Sequence, residues 1–115
     1  MKFTQSLKKN FQFRYVYNRG KSFANKHLVM YLIKNNQTYN RLGISVSKKV
    51  GKSVIRSRVT RLIRENYRLV EKNVKLGFDI VIIARVSAKE ANYYEISKSL
   101  HHLLKKHSLF FEKTV

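Results

Sequence analysis

The sequence predicts one α+β domain spanning residues 1–115, a single two-layer sandwich with helices over a sheet of about four strands, in the order α-β-β-β-α-β-α. Three observations predict it. Apolar residues recur at helical spacing in two segments, Ile55–Val70 and Ile96–Leu104. Three further segments, His27–Ile33, Leu42–Val46 and Phe78–Ala84, are alternating or continuously apolar over strand length. Finally, 115 residues with 43% hydrophobic content make one core and not two. No repeat, linker or low-complexity tract separates the segments.

The first helix is expected over about 9–19, ended by Arg19-Gly20 with the glycine just past the last turn. Lys21–Ala24 reads as a short extended piece before the strand His27–Ile33. The polar run Lys34–Asn40 is a hairpin loop. Leu42, Ile44 and Val46 then alternate with Gly43, Ser45 and Ser47, giving a strand with one apolar face and one small, polar face. Ser47–Lys52 is a basic loop before a long helix over about 53–72, whose stripe is Ile55, Val59, Leu62, Ile63 and Val70 with Tyr67 at its edge. Asn73–Gly77 turns the chain into Phe78–Ala84, apolar enough for a central buried strand. Ser87-Ala-Lys-Glu90 reads as a capping box opening the last helix, with Ile96, Leu100, Leu103 and Leu104 as its core stripe.

Charge speaks to function. Lys and Arg number 25 against six Asp and Glu, a formal net charge of +19. Residues 1–64 hold sixteen basic residues and no acid; residues 65–115 hold nine basic and six acidic. So one-signed a domain repels itself and is relieved by a polyanionic partner, nucleic acid above all. A charge kept only for solubility, or an anionic membrane surface, fits less well, because no strongly amphipathic anchor helix accompanies it. The longest apolar run, Leu28–Ile33, is far too short to span a bilayer. Met1–Asn10 has no hydrophobic signal segment behind it, so a soluble, cytoplasmic protein is expected. Asn36-Gln-Thr38 is then a chance glycosylation sequon.

On a helical wheel with Ile55 at zero, Arg64, Arg68, Arg61 and Arg58 fall at about 180°, 220°, 240° and 300°. Four arginines thus line one sector opposite the apolar stripe, with Arg56 flanking the buried face. Lys48, Lys49 and Lys52 extend the strip into the preceding loop. A guanidinium forks onto phosphate oxygens and stacks on bases, which a lysine ammonium does not do. A solvated face knit by ion pairs needs interspersed carboxylates, and this sector offers only Glu65, with Glu71 at its edge. A face that tracks phosphates is the better reading.

A second surface emerges from the aromatics. Phe13 and Tyr17 stack on one face of the first helix, Phe11 and Tyr15 on another; one pair is core and the other exposed. Strand parity groups His27, Val29, Tyr31 and Ile33, while Gly43, Ser45 and Ser47 leave room for a groove. Aromatics over a groove with cationic walls suit single-stranded nucleic acid; ordinary core packing is the competing explanation.

The run Gly43-Ile-Ser-Val-Ser-Lys-Lys-Val-Gly-Lys-Ser-Val-Ile-Arg-Ser-Arg-Val-Thr-Arg-Leu-Ile-Arg64 resembles the signature of the bacterial ribonuclease P protein component. The length, the basic N-terminal half, Phe13-Arg-Tyr-Val-Tyr17, Arg19-Gly20 and Phe23-Ala-Asn25 fit as well. Two positions depart: Ser57 stands where the family signature has asparagine, and Ser53 where alanine is usual. A serine hydroxyl has shorter reach than the amide and one group fewer. The resemblance implies a left-handed β-α-β crossover and a protein subunit that binds a catalytic RNA and assists removal of the 5′ leader of precursor tRNA. In that reading the RNA and its magnesium perform the hydrolysis, and the protein itself binds no cofactor. It implies RNA-facing residues Lys48, Lys49, Lys52, Arg56, Ser57, Arg58, Arg61, Arg64 and Arg68, and a leader cleft of Phe13, Tyr17, Val29, Tyr31 and Ser45.

No catalytic or metal-binding group is assigned to the chain. The absence of cysteine removes a disulfide scaffold, a thiol nucleophile and a Cys-ligated zinc site together. His101 and His102 diverge by about 100° on a helix and do not converge on one phosphate. The histidines are expected at the surface or on helix flanks, and no Asp/Glu pair has metal-binding spacing. A ribosomal-type RNA-binding protein is the main alternative; a DNA-compacting protein lacks the groove-inserting arms such proteins use.

Overall fold

Phe78–Ala84, apolar at every position but Asp79, becomes the centre of the sheet. A computed structural model describes residues 1–111. In it the chain runs β1 (Thr4–Ser6), α1 (Asn10–Arg19), β2 (Lys21–Ala24), β3 (Leu28–Lys34), β4 (Asn40–Ser45), α2 (Ser53–Val70), β5 (Phe78–Ala84) and α3 (Tyr93–Lys106). The sheet order is β1-β4-β5-β3-β2. β4 is parallel to β1 and β5, whereas β3 is antiparallel to β5 and β2.

Being central, β5 buries both faces. Ile80 and Ile82, with Leu28, Met30 and Leu42, meet Val59 and Ile63 of α2 and Leu100 and Leu103 of α3 in the main core. Val81 lies on the other face with Val16 of α1, Leu7, and the half-buried Tyr31, Ile33 and Ile83. The α+β class stands, but α1 covers the opposite face from α2 and α3, so the expected two layers become three. Alternation along β3 and β5 produces this, because their odd and even positions are both apolar.

The hydrogen bonds fix the hand of the β4-α2-β5 crossover. The Arg85 N–H donates to the His27 carbonyl at 2.8 Å, so odd-numbered residues of β5 turn their amides toward β3 and even-numbered ones toward β4. The even residues Ile80 and Ile82 send their side chains toward α2. For L-residues on an ascending strand, a side chain toward the viewer places its own N–H and C=O on the right. Seen from α2, β4 therefore lies to the right of β5, and the crossover is left-handed, against the general rule.

Two boundaries differ from the sequence reading. The sheet has five strands, because Thr4-Gln5-Ser6, without apolar periodicity, pairs with Asn40–Leu42 through its backbone. Buried Glu71 fixes this segment by accepting from the Lys2 and Phe3 N–H groups at 3.2 and 3.3 Å. At the other end, Ser87 does not cap α3. Its hydroxyl donates to the Lys26 carbonyl at 2.6 Å and meets His27 Nδ1 at 3.0 Å. Val86–Glu90 is a 3-10 turn, and the capping box belongs to Asn92 and Glu95.

Of the histidines expected at the surface or on helix flanks, one is interior and one, at the C-terminal flank of α3, is partly covered. His27 is buried, and half-buried His107 bonds the Met30 carbonyl through Nε2 at 2.9 Å. Burial holds the His107 imidazole below its ordinary pKa, with the Met30 bond opposing. On the α1 side, buried Asp79 accepts two bonds from Arg41, at 2.7 and 2.8 Å, and one from Asn35 at 3.0 Å. The Asp79 bond holds the Arg41 guanidinium above its usual range.

Candidate functional site

Helix α2 buries Val59, Ile63, Tyr67 and Val70 and turns the opposite sector outward. Arg61, Arg64 and Arg68 are exposed, as are Lys48, Lys49, Lys52 and Ser57, while Arg56 and Arg58 are half-buried. Among the described residues the only ion pairs within 4 Å are His27–Glu95 and Arg41–Asp79. The arginine face is therefore free of carboxylate partners there. A groove runs beside it, lined by Ile44, Val46, Ser53, Arg56, Ser57, Thr60, Arg61 and Arg64.

Arg58 is different from its neighbours. Its guanidinium donates to the Ala91 carbonyl at 3.3 Å and to the Lys89 carbonyl, fastening the turn that precedes α3. Two of its five N–H donors are spent on this turn, so the side chain at this wheel position also serves the fold. Arg58→Ala is expected to cost about 1 kcal/mol of stability in urea titrations. The salt dependence of RNA binding should flatten less than in Arg61→Ala. Arg56 likewise spends its Nε on the Gly51 carbonyl, at 3.2 Å, which shapes the loop carrying Lys48, Lys49 and Lys52.

The second predicted cluster also assembles. Phe13, Tyr17 and Tyr31 form a chain of half-buried rings, with centroids 6.3 Å apart for the first pair and 5.1 Å, edge to face, for the second. Phe11 and Tyr15 are the exposed pair, at 60% and 49%, with Lys9 and Arg19 over their rings. Burial raises the Tyr17 phenol above its ordinary pKa, and the Ser45 hydroxyl opposes this. Val29 shares the strand face of Tyr31, paired with Ile83 and Ala24; neither of the two lines the groove itself, which Tyr31 reaches only through its contact with Tyr17. That groove, of about 570 Å³, is lined by Asn10, Phe13, Arg14, Tyr17, Ile44 and Ser45.

Gly43 makes the groove possible. A Cβ there would stand 2.7 Å from Cε1 and Cζ of Phe13, too close for any carbon pair. Gly43→Ala should therefore displace the Phe13 ring and cost about 1–3 kcal/mol of stability. Affinity for single-stranded RNA in the groove should fall while catalytic-RNA binding is kept, a split that paired titrations of both ligands would show.

Ile44 lines both grooves, so the cleft beneath α1 and the arginine face of α2 are neighbours along β4. β1 pairs with β4 only as far as Leu42, which leaves the Gly43–Ser45 edge uncovered by a strand. Asn10 and Arg14 were missed in the sequence, although Asn10, Phe13, Arg14 and Tyr17 follow the i, i+3, i+4, i+7 spacing of one helix face. Thr60 was missed as well; its wheel position, about 140°, borders the arginine sector. No three His, Asp or Glu side chains among the described residues gather as a metal cage.

An exposed guanidinium ridge adjoining a groove of aromatic rings defines a nucleic-acid-binding protein of the kind that serves a ribonucleoprotein. Comparison with known proteins makes this specific. The Ribonuclease P family model matches residues 1–108. The ribonuclease P protein component of Clostridioides difficile (strain 630) is 57% identical over 104 residues, covering 90% of this chain and 91% of that one. That of Lachnoclostridium phytofermentans is 58% identical over 106 residues, covering 92% and 91%. Among solved structures, the RNase P protein of Staphylococcus aureus superposes with a TM-score of 0.86 at 41% identity, covering 92% of this chain and 97% of that one. The RNase P protein of Thermotoga maritima gives 0.81 at 31% identity, covering 95% and 99%. The chain belongs to the ribonuclease P protein component family and is a protein subunit of ribonuclease P, which sets aside the ribosomal-type alternative.

Proposed function

We propose that this subunit acts by holding RNA on two adjoining surfaces while the RNA partner performs the phosphodiester hydrolysis. The exposed face of Arg61, Arg64 and Arg68, with Lys48, Lys49, Lys52 and Ser57, lies against the catalytic RNA. Phe13, Tyr17, Tyr31 and Ser45, with Val29 behind them, receive the single-stranded 5′ leader of precursor tRNA. Arg56 and Arg58 shape the loop and turn that present the ridge. Magnesium belongs to the RNA in this reading. The setting is the cytoplasm, and no described helix is long and apolar enough to cross a membrane.

One observation carries the reading: a cationic ridge with no carboxylate partner among the described residues, beside rings left half open. The ridge needs phosphates to neutralise it, and the rings need flat unpaired bases. Reconstitution tests it. The purified chain alone should leave precursor tRNA intact, and adding it to its RNA partner should permit leader removal at magnesium concentrations where the RNA alone is slow. Cleavage by protein from which every trace of RNA has been removed would overturn the proposal.

A further inference from the structure

On the far side of the sheet from the α1 cleft lies a cavity of about 1060 Å³. Its origin is local. The chain after α3 returns along the turn after α2, with a Val74–Phe110 bridge, Lys75 N–H donating to the Leu109 carbonyl at 2.7 Å and Phe111 N–H to the Asn73 carbonyl at 3.1 Å. One wall is the outer face of α3, where Lys98, His101, His102 and Lys105 follow the i, i+3, i+4, i+7 spacing. Lys75 and the ring of Phe110 supply the opposite wall.

The chemistry of this cavity is one-sided. No carboxylate among the described residues lines it. Glu95, the nearest acid on α3, accepts from the Asn92 N–H at 3.1 Å and faces His27 at 3.9 Å, in no ion pair with Lys98. The imidazoles are set by their neighbours. The Asn25 amide is oriented unambiguously, because its Oδ1 accepts from the His27 and Leu28 N–H groups and from the Ser99 hydroxyl. Its Nδ2 therefore donates to His102 Nδ1 at 3.1 Å, which leaves the N–H of neutral His102 on Nε2, remote from Asn25. His101 Nδ1 donates to the Ser97 carbonyl at 2.8 Å and its ring lies 5.8 Å from that of Phe110. Phe111, at the rim, is 56% exposed.

We propose that this cavity is a further binding site for single-stranded RNA, separate from the arginine ridge and from the leader cleft. Lys98, Lys105 and Lys75 take phosphodiester oxygens, the Nε2–H of His102 adds a directed donor, and a base lies against Phe110 and Phe111. Lysines alone would make a generic anion patch; the two rings make it a nucleotide site.

Binding of a fluorescein-labelled five-nucleotide oligoadenylate to the full chain tests this. The wild type is expected to take up two oligonucleotides. Lys98→Gln with Lys105→Gln should remove one of them and reduce the salt slope of that site by roughly 0.7 for each phosphate no longer neutralised. Phe111→Ala should weaken the same site at least about fivefold for oligoadenylate, yet leave inorganic polyphosphate binding unchanged. Cleavage of precursor tRNA by the reconstituted holoenzyme should be retained in these variants, which separates this site from the leader cleft. A second measurement needs no substitution in α3: the wild type is photocrosslinked to a 4-thiouridine pentamer, and adducts on Phe110, Phe111 or α3 support the site. A single oligonucleotide per chain with adducts confined to α1 and α2, or equal loss of polyphosphate and oligoadenylate in Phe111→Ala, would overturn it.

Discussion

Replacing Arg61, Arg64 and Arg68 together by alanine lowers the affinity for the catalytic RNA roughly a hundredfold and flattens its salt dependence by about 2 in slope. The slope follows from counterion release, about 0.7–0.9 for each phosphate that loses its cation. The affinity follows from removing three charge-assisted bonds of about 1 kcal/mol each after solvent screening. All three side chains are exposed and in none of the described ion pairs, so the fold tolerates their removal. A matched control removes Lys2, Lys8 and Lys34, three exposed cations outside α2. It makes the same change in net charge and should cost far less. If ridge and control variants lose affinity equally, binding is a matter of total charge and the α2 ridge has no privileged place.

Arg58 shows where reading the wheel stops being enough. Its angle placed it with the ridge, and angle is a property of one helix. Its partners, the Lys89 and Ala91 carbonyls, come from a turn about thirty residues away that no periodicity in α2 announces. The same limit explains Ser87. Ser-x-x-Glu is a valid local cap signal, but the hydroxyl found the Lys26 carbonyl across the sheet, and Asn92 capped α3 five residues later. β1 escaped notice because a three-residue edge strand needs only backbone to pair. By contrast, the stripes of α2 and α3 and the bounds of β5 were legible, since burial there is dictated by the residues themselves. The ridge was legible for the opposite reason: a run of basic residues with no acid has nowhere to go but outward. The hand of the crossover rests on the stacking of α2 over one particular face of the sheet, a tertiary choice that only resemblance to relatives indicated.

The aromatic cleft is the sharper test of how substrate is held. Phe13→Leu together with Tyr31→Leu is expected to weaken binding of leader-bearing precursor tRNA about fivefold to a hundredfold, and that of mature tRNA little. The magnitude is that of base–aromatic stacking, about 1–3 kcal/mol per base. Leucine is chosen because both rings also pack against the cluster of Leu7, Val16 and Val81, where alanine would open a cavity. Leucine keeps most of the apolar volume and discards the flat π surface. The mature tRNA arm then separates the two jobs these rings do. If they serve only as core, the leucine variants bind both RNAs alike, with any loss shared equally because it reflects the fold. If they stack on the leader, the ratio between the two RNAs changes while thermal stability scarcely moves. The half-burial of Phe13, Tyr17 and Tyr31 is what makes the second outcome the expected one: a ring that only filled the core beneath α1 would be closed off as Val16 is, whereas Phe13 and Tyr17 line an open groove and Tyr31 stays half-buried against Tyr17.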